Sequence, residues 1–445
     1  MRRGSVADVP RSYWVETLGC PKNQVDSDKL EGTLTADGLS PATEPEHADV
    51  IVVNTCAFIE EARQESINTI LALADGRRPG ARLVVTGCMA ERYGDELVEA
   101  MPEIDLVAPF GADLHGRAGP LAGPTAAGAA PVAVQIGRKP SAVAAPAFDL
   151  LNLPRPAARR PWAYVKVAEG CDRNCGFCAI PSFRGKQRSR SIEDIVAEVD
   201  GLGVREVVLV AQDLASFGRD QGRGARALVP LLHRLAGRVP WIRLLYLYPS
   251  DLTDELVDAI CATEVPYFDL SLQHVSAPLL RRMRRWGDGA RFLARIESIR
   301  ARRPDAAFRT NFIVGYPGET EQDHEALLDF VEAARLDWCG FFAYSPEEGT
   351  YATTLDGEVP AALRDERLGE LRELQDAITA ERRDALIGAE VRVLVDEAGI
   401  GRTFREAPEI DGIVELPPDL PVGSFATVRV VDALGPDLVA ETVTP

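Results

Sequence analysis

The constraint that weighs most on this chain is the beat of its apolar runs. Short β-like segments recur, each followed by a polar or amphipathic stretch, and strands alternating with helices argue for a parallel α/β sheet. In the first 110 residues these runs are 12–18, 50–53 and 83–85. Residues 116–161 break the pattern, crowded with Ala, Pro and Gly, and read as an irregular connector with one further strand candidate at 132–136. From Trp162 the alternation resumes at a longer period, with candidate strands at 163–167, 206–210, 242–247, 267–272, 309–314 and 340–344. Ser191 followed by Asp194 marks a capping box at the head of a helix over 192–202. Six β/α units close part of a barrel whose working residues sit on loops at the strands' C-terminal ends. A charged helix over 361–386 then leads into short strands at 390–395, 412–416, 425–431 and 438–443, the pattern of a small β-barrel.

The expected architecture is therefore α/β. It comprises an N-terminal parallel α/β domain (1–115), a connector (116–161), a central partial (β/α)6 barrel (162–385) and a C-terminal small antiparallel β-barrel (386–445). A length of 445 residues suits about three domains. At 46% hydrophobic and 26% charged residues the composition is that of globular protein and excludes wholesale disorder. No run approaches 18 apolar residues, so no spanning helix is expected. The opening MRRGSVADVPRSYW has no apolar core behind its arginines, which argues against a secretory signal. The expected compartment is the cytoplasm, where thiols stay reduced, and eight cysteines there point to metal or catalysis before disulfides.

Cys171, Cys175 and Cys178 form Cys-x3-Cys-x2-Cys directly after the first strand of the second α/β region. Three thiolates on one short loop suit three irons of a cubane and leave the fourth iron open for chemistry. The competing zinc site wants a fourth Cys or His, and the nearest histidines in sequence are His115 and His233. Cys20, Cys56 and Cys88 are 36 and 32 residues apart, yet each sits just past a candidate strand. Parallel strand ends converge at one sheet edge, so the three either meet at one metal centre or are separate core cysteines. Cys261 and Cys339, in helix-like and strand-like runs, read as core.

With these residues placed, the chain resembles the radical AdoMet methylthiotransferases across nearly its whole length. The segments carrying the likeness are LGC20PKNQVDSD, AEGCDRNCGFCAIPSFRGKQRSR, LQHVSAPLLRRMRR, NFIVGYPGETEQD, YSPEEGTYA and EAPEIDGIVEL. Of the family's two branches, one modifies tRNA adenosine and the other an aspartate of ribosomal protein S12. Pro21-Lys22-Asn23 after the first cysteine is similar to the second; the tRNA branch typically has Gln-Met-Asn there. The resemblance implies two [4Fe–4S] clusters, an auxiliary one on Cys20, Cys56 and Cys88 and an AdoMet-cleaving one on Cys171, Cys175 and Cys178. It implies a TRAM domain at the C-terminus. It also implies reductive cleavage of AdoMet to a 5′-deoxyadenosyl radical, hydrogen removal from the aspartate β-carbon, and transfer of a methylthio group. S12, free or in the small subunit, an external electron donor and a sulfur source are the implied partners, with no membrane and no direct tRNA substrate. The alternatives are a tRNA adenosine methylthiotransferase and, from another class, a two-cluster electron carrier.

Further residues follow from strand-end logic and the resemblance together. Gly315 and Glu319, in Gly315-Tyr316-Pro317-Gly318-Glu319, follow a barrel strand where AdoMet is usually held, although Pro-Gly also makes an ordinary turn. Gln212, Asp213, Gln273 and His274 end two other strands and are placed to bond AdoMet, His274 having an equal claim to a structural role. Arg309 is a candidate for the AdoMet carboxylate.

Charge separates the partner classes. The chain carries 68 acidic and 49 basic residues, a net of −19. Residues 1–150 hold 13 basic and 21 acidic side chains, residues 151–385 hold 32 and 36, and residues 386–445 hold 4 and 11. Basic runs at Arg184, Lys186, Arg188 and Arg190 and at Arg281, Arg282, Arg284 and Arg285 suggest RNA or a solvated, acid-paired face. The acidic flanks favour a basic protein partner over RNA phosphates. Glu409 and Asp411, in Ala407-Pro408-Glu409-Ile410-Asp411-Gly412, are placed on an exposed turn as substrate-contact candidates, or as a solvated loop.

Overall fold

The computed structural model describes residues 12–110, 150–222 and 227–443. The strand read at 132–136 lies outside them. The described residues divide into two compact units after Pro156.

The first unit is a five-stranded, all-parallel sheet. Its strands are β1 (Ser12–Thr17), β2 (Ser40–Pro41), β3 (Val50–Thr55), β4 (Arg82–Gly87) and β5 (Leu106–Val107), in the order β2-β1-β3-β4-β5. All six residues of β3 are buried, as a central parallel strand covered on both faces requires. The two-residue edge strands β2 and β5 are too short for a periodicity argument to find. Residues 150–156, read from sequence as part of the connector, pack onto the helix Pro21–Ala36: Leu151 is buried, its carbonyl accepts from Lys29, and Arg155 pairs with Asp28.

The second unit holds the larger barrel and the C-terminal strands together. Strands β6 (Trp162–Lys166), β9 (Glu206–Val210) and β10 (Trp241–Leu244) form one parallel sheet; β11 (Tyr267–Gln273), β12 (Ala307–Val314) and β13 (Trp338–Ala343) form another. A parallel bridge between Leu247 and Leu270 joins the two, so six consecutive parallel strands make the partial barrel. A short hairpin-like pair, β7 (Ala168–Glu169) and β8 (Arg188–Ser189), brackets the first cysteine loop. Ser191 caps the helix Ile192–Leu202 by accepting from the Asp194 N–H at 3.0 Å. The charged helix runs Ala361–Asp384 and buries Leu368, Leu371 and Ile378 against the barrel core.

The C-terminal strands are β14 (Glu390–Glu397), β15 (Ile400–Arg402), β16 (Val414–Glu415), β17 (Phe425–Leu434) and β18 (Asp437–Thr442). They close in the order β14-β15-β16-β18-β17, with β14 returning to β17. Closure leaves no free edge, and one pair, β16 with β18, is parallel within an otherwise antiparallel barrel. Eight apolar side chains, among them Val393, Val395 and Val428, fill its interior. Among the described residues, no helix is long and apolar enough to cross a membrane.

Candidate cluster sites and barrel mouth

In the first unit, sheet register brings the three distant cysteines to one edge. Thr17 lies opposite Asn54 and Thr55 opposite Gly87, and Cys56 and Cys88 follow Thr55 and Gly87 directly. Cys20 caps the helix Pro21–Ala36 and Cys88 opens the helix Cys88–Ala100. Helix N-termini favour negative charge, a thiolate's included. Asn23 and Ser66, neither given a structural role from sequence, order this edge. The Asn23 amide donates to Leu18 O at 2.8 Å and Thr55 O at 3.0 Å, and its Oδ1 lies 3.9 Å from Cys88 Sγ. Ser66 Oγ accepts from Cys56 N–H at 3.1 Å and donates to Cys56 O at 3.0 Å. Gly19, at φ +92°, leaves the room: a Cβ there would sit 2.8 Å from Cys56 Cβ and 2.9 Å from its sulfur.

In the second unit, Cys171, Cys175 and Cys178 follow β6 on the loop closed by β7 and β8. Burial, with Asp213 and Cys175 adding to it, pushes the Cys171 thiol up to about 11; burial, with Cys175 and Cys171 adding to it, pushes the Cys178 thiol up to about 12. Such thiols hold their protons until a metal displaces them. Among the described residues, no three His, Cys, Asp or Glu side chains are drawn tightly enough to share one ion. A cubane asks for a wider spacing, one thiolate per iron.

Inward-facing side chains stack in layers along the barrel axis, and the upper and lower ends differ. The upper layer, at the strand ends beside the cysteine loop, is polar and carries buried acceptors without a partner among the described residues. Gln212 donates to Glu169 at 2.7 Å, and its Oε1 has none. Asp213 accepts from Arg173 and Ser216 at 2.6 Å each through Oδ2, and its Oδ1 has none. Asn311 Oδ1 is in the same state. Gln273 closes a bulged stretch of β11 with φ +72°, a backbone that re-aims its side chain. His274 is fully buried with Nδ1 accepting from Ser276 N–H at 3.1 Å; burial holds the imidazole down at about 4, so it is neutral. These orphaned acceptors, with three thiols on the adjoining loop, fit a polar amino-acid-bearing ligand at a cluster's open iron.

Several residues here have roles that the sequence did not assign. Lys166 and Arg184 clamp Glu169 at 2.7 and 3.0 Å; burial alone would raise its carboxyl, yet the two cations hold it well below the usual range. Arg173 pairs with Asp213 and Asp251 and stacks 3.8 Å from the Tyr248 ring centroid. Arg285 lies 4.1 Å from the same centroid and places Nη1 3.4 Å from Cys175 Sγ. Cys-loop spacing says nothing about Tyr248 or Arg285, which arrive from the loop after β10 and from the turn after the helix Ala277–Arg282.

Four candidates are placed otherwise than expected. Arg309 is the third residue of β12, at the barrel's opposite end, where it pairs with Asp269 at 3.1 Å and Asp411 at 3.3 Å. Asp411 is not on an exposed turn: its side chain is 2% exposed and accepts from Tyr267 Oη at 2.6 Å. Glu319 is buried, accepting from Gly315 N–H at 2.6 Å and Arg367 Nη1 at 2.9 Å, so each of its oxygens is already bonded within the protein. The clearance at Gly315 (φ +80°) is taken by the Arg364 side chain, 2.6 Å from where a Cβ would stand. Glu409 is exposed but bonded to Arg160.

The lower layer explains the placement of Arg309 and Asp411. Residues 402–411 of the small barrel close the barrel's N-terminal mouth. Arg402 bonds Glu206 and Asp396, and Glu206 also takes Arg243; Arg402, Glu206 and Arg243 are buried and Asp396 nearly so. Arg383 pairs with Glu406 at 2.6 Å. Tyr164, Trp338 and Arg243 donate to the carbonyls of Pro408, Arg405 and Phe404 at 2.7, 2.7 and 2.8 Å. Three of the eleven acidic residues in 386–445 (Asp396, Glu406 and Asp411) are thus buried in ion pairs, which reduces the acid that the segment shows to a partner. Three of the eight residues in the basic runs are paired with acids too: Arg184 with Glu169, Arg190 with Glu198, Arg282 with Asp356.

Three family models match: uncharacterized protein family UPF0004 over residues 12–109, the radical SAM superfamily over 165–331 and the TRAM domain over 387–443. Across the whole length, the ribosomal protein uS12 methylthiotransferase RimO of Moorella thermoacetica is 44% identical, the alignment covering 93% of this chain and 95% of that protein. The RimO proteins of Cutibacterium acnes (43%, covering 98% and 99%) and Aquifex aeolicus (41%, covering 95% and 95%) match likewise. The chain belongs to the RimO family. As such it is a radical AdoMet methylthiotransferase, with AdoMet and [4Fe–4S] chemistry as its cofactors. Among solved structures, the radical S-adenosylmethionine methyltransferase TsrM of Kitasatospora setae is 16% identical, covering 76% of this chain and 77% of that one at a TM-score of 0.48.

Proposed function

We propose that this RimO-family enzyme places a methylthio group on the β-carbon of an aspartate of ribosomal protein uS12, in the cytoplasm, using two [4Fe–4S] clusters. The observation that carries the reading is the gathering of six cysteines at two strand-end sites, in a chain whose full-length relatives are named for that reaction. Cys171, Cys175 and Cys178 would hold the cluster that binds AdoMet, and Cys20, Cys56 and Cys88 the auxiliary one. Loaded, the pair supplies the electron that splits AdoMet and the sulfur that is transferred. The chain's own residues do the rest. Gln212 and Asp213 present acceptors for AdoMet's ammonium and hydroxyl groups, Gln273 would add its amide at the bulged end of β11, and His274 is neutral. Arg285 beside Cys175 offsets the negative charge of a thiolate-bound cluster. The plug of residues 402–411 shuts the lower mouth, leaving the upper one for solvent and substrate. An external reductant and a sulfur source complete the partner set, and tRNA is not a substrate.

Mass spectrometry of uS12 and of tRNA nucleosides from a deletion strain tests the assignment. uS12 should lose the mass of one methylthio group while tRNA stays unchanged. An unaltered uS12 with a missing methylthio-adenosine would sink it. A bare electron carrier would form no 5′-deoxyadenosine when reduced with AdoMet.

A further inference from the structure

The arginines that ring the radical-cluster loop are nearly all committed. Arg173 is held by Asp213 and Asp251, Arg184 by Glu169, and Arg282 by Asp356 and the Pro317 carbonyl. Arg285 is spent on Ser271 O and Cys175 Sγ. Arg284 differs from these four. It is exposed and has no carboxylate partner among the described residues, yet it is not loose: its guanidinium lies 3.6 Å from the Tyr351 ring centroid. Its backbone is in the left-handed region at φ +56°, uncommon for a bulky side chain. Its position relative to the cluster loop is fixed from two sides. Gly176, between Cys175 and Cys178, donates to the carbonyl of Met283, the residue before Arg284, at 2.8 Å. The Gly176 carbonyl accepts from Ala352, the residue after Tyr351, at 2.8 Å.

We propose that Arg284 grips the carboxylate of the target side chain and so selects an aspartate over its amide. The proposal rests on the function proposed above. An aromatic ring covers only the face of a guanidinium; the five N–H donors lie in its plane and remain available. A carboxylate meets them edge to edge through two parallel bonds, a geometry an amide cannot reproduce because its nitrogen carries no acceptor. The reacting carbon of an aspartate is one bond from that carboxylate. Anchoring it to a guanidinium seated on the cluster loop therefore fixes the C–H bond that reacts, which a flexible surface cation would not do.

The test is a cycle on the reconstituted full chain. Wild type, R284Q and R284K are assayed for methylthio transfer to uS12, free and in small subunits, carrying the target Asp or Asn. R284Q should raise KM for the Asp substrate by roughly 10–100-fold, the size of a charged hydrogen-bonded pair. Asp→Asn should raise KM on wild type comparably, and the two changes together should cost little more than either. R284K should recover part of the loss. A wild-type KM and an unaltered Asp-over-Asn ratio in R284Q, with its reduced-cluster EPR signal intact, would overturn the proposal, as would additive effects. Should R284Q fail to take up its cluster, the wild-type ratio decides: equal use of Asn overturns it. A wild type active on the Asp substrate but indifferent to position 284 refutes this proposal alone; one inert on uS12 in every form refutes the functional reading and the proposal with it.

Discussion

Arg309 Nε lies 3.3 Å from Asp411 Oδ1, tying the start of a barrel strand to the loop of the C-terminal barrel. Asp269 shares the same guanidinium at 3.1 Å, and Tyr267 donates to Asp411 from the neighbouring strand. The two partners respond differently. The Arg309 cation is favoured, since its acidic neighbours outweigh burial, whereas burial pushes the Asp411 carboxyl up to about 6 against Arg309's pull. The reason is division: Arg309 has two carboxylates, and Asp411 has a share of one cation in a dry site. What the sequence suggested as two ligand contacts is the seal between two domains.

That seal should behave as a buried network. Arg402 and Glu206 are 3% and 0% exposed, and removing one partner leaves the other charged in a low-dielectric site. R402M is expected to lower the unfolding free energy by about 3–5 kcal/mol. Urea denaturation measures the loss, and E206Q added to R402M should recover part of it; a loss under 1 kcal/mol would contradict the network.

Two buried groups give the stability a pH dependence of opposite signs. Asp411 rises from 3.8 to about 6, so the folded chain binds more protons between those values and its contribution falls as pH rises through the window. His274 drops from 6.5 to about 4, so its contribution is present above 6.5 and is lost as pH falls. D411N should therefore lose stability on acidification from pH 6 to 4 more steeply than wild type, and H274N less steeply. Each difference is bounded by about 1.4 kcal/mol per pH unit. Chemical denaturation at half-unit pH steps reads both slopes.

At the sheet edge of the first unit, Gly19→Ala puts a methyl group 2.8 Å from Cys56 Cβ in a backbone that disfavours any side chain. Reconstituted iron should fall from about eight to about four atoms per chain, each cubane carrying four. Methylthio transfer should be lost with it. Iron and sulfide analysis with EPR decides; full iron content in the variant would argue against an auxiliary site at this edge.

Glu319 gives a contrast with the strand-end candidates. Burial pushes its carboxyl up against the pull of Gly315 N–H and Arg367, so it is a structural clamp on the helix Ala361–Asp384. E319Q should destabilise the fold by about 3–5 kcal/mol, leaving Arg367 buried and short of its partner. AdoMet affinity measured by calorimetry on folded protein should move less than twofold; a tenfold loss would return Glu319 to the ligand site.

Much of this was legible from residues alone. The six barrel strands, the C-terminal strand run and the Ser191 cap follow from local periodicity and local hydrogen bonding, and local rules need only neighbouring residues. The three-cysteine loop is legible for the same reason. The two-residue strands β2 and β5 were not legible, nor was β15, because so short a run carries no period.

Sequence by itself determined the class of fold, the order of domains, the family likeness and which cysteines follow strands. Tertiary structure alone decided which end of a strand a residue occupies and what faces it there. Arg309 and Gly315 are six residues apart on one strand and its loop, yet they lie at opposite mouths of the barrel. Six extended residues span roughly 20 Å, the thickness of the barrel itself. Spacing along a chain fixes that distance, but only packing against Asp269 and Asp411 fixes what Arg309 is for.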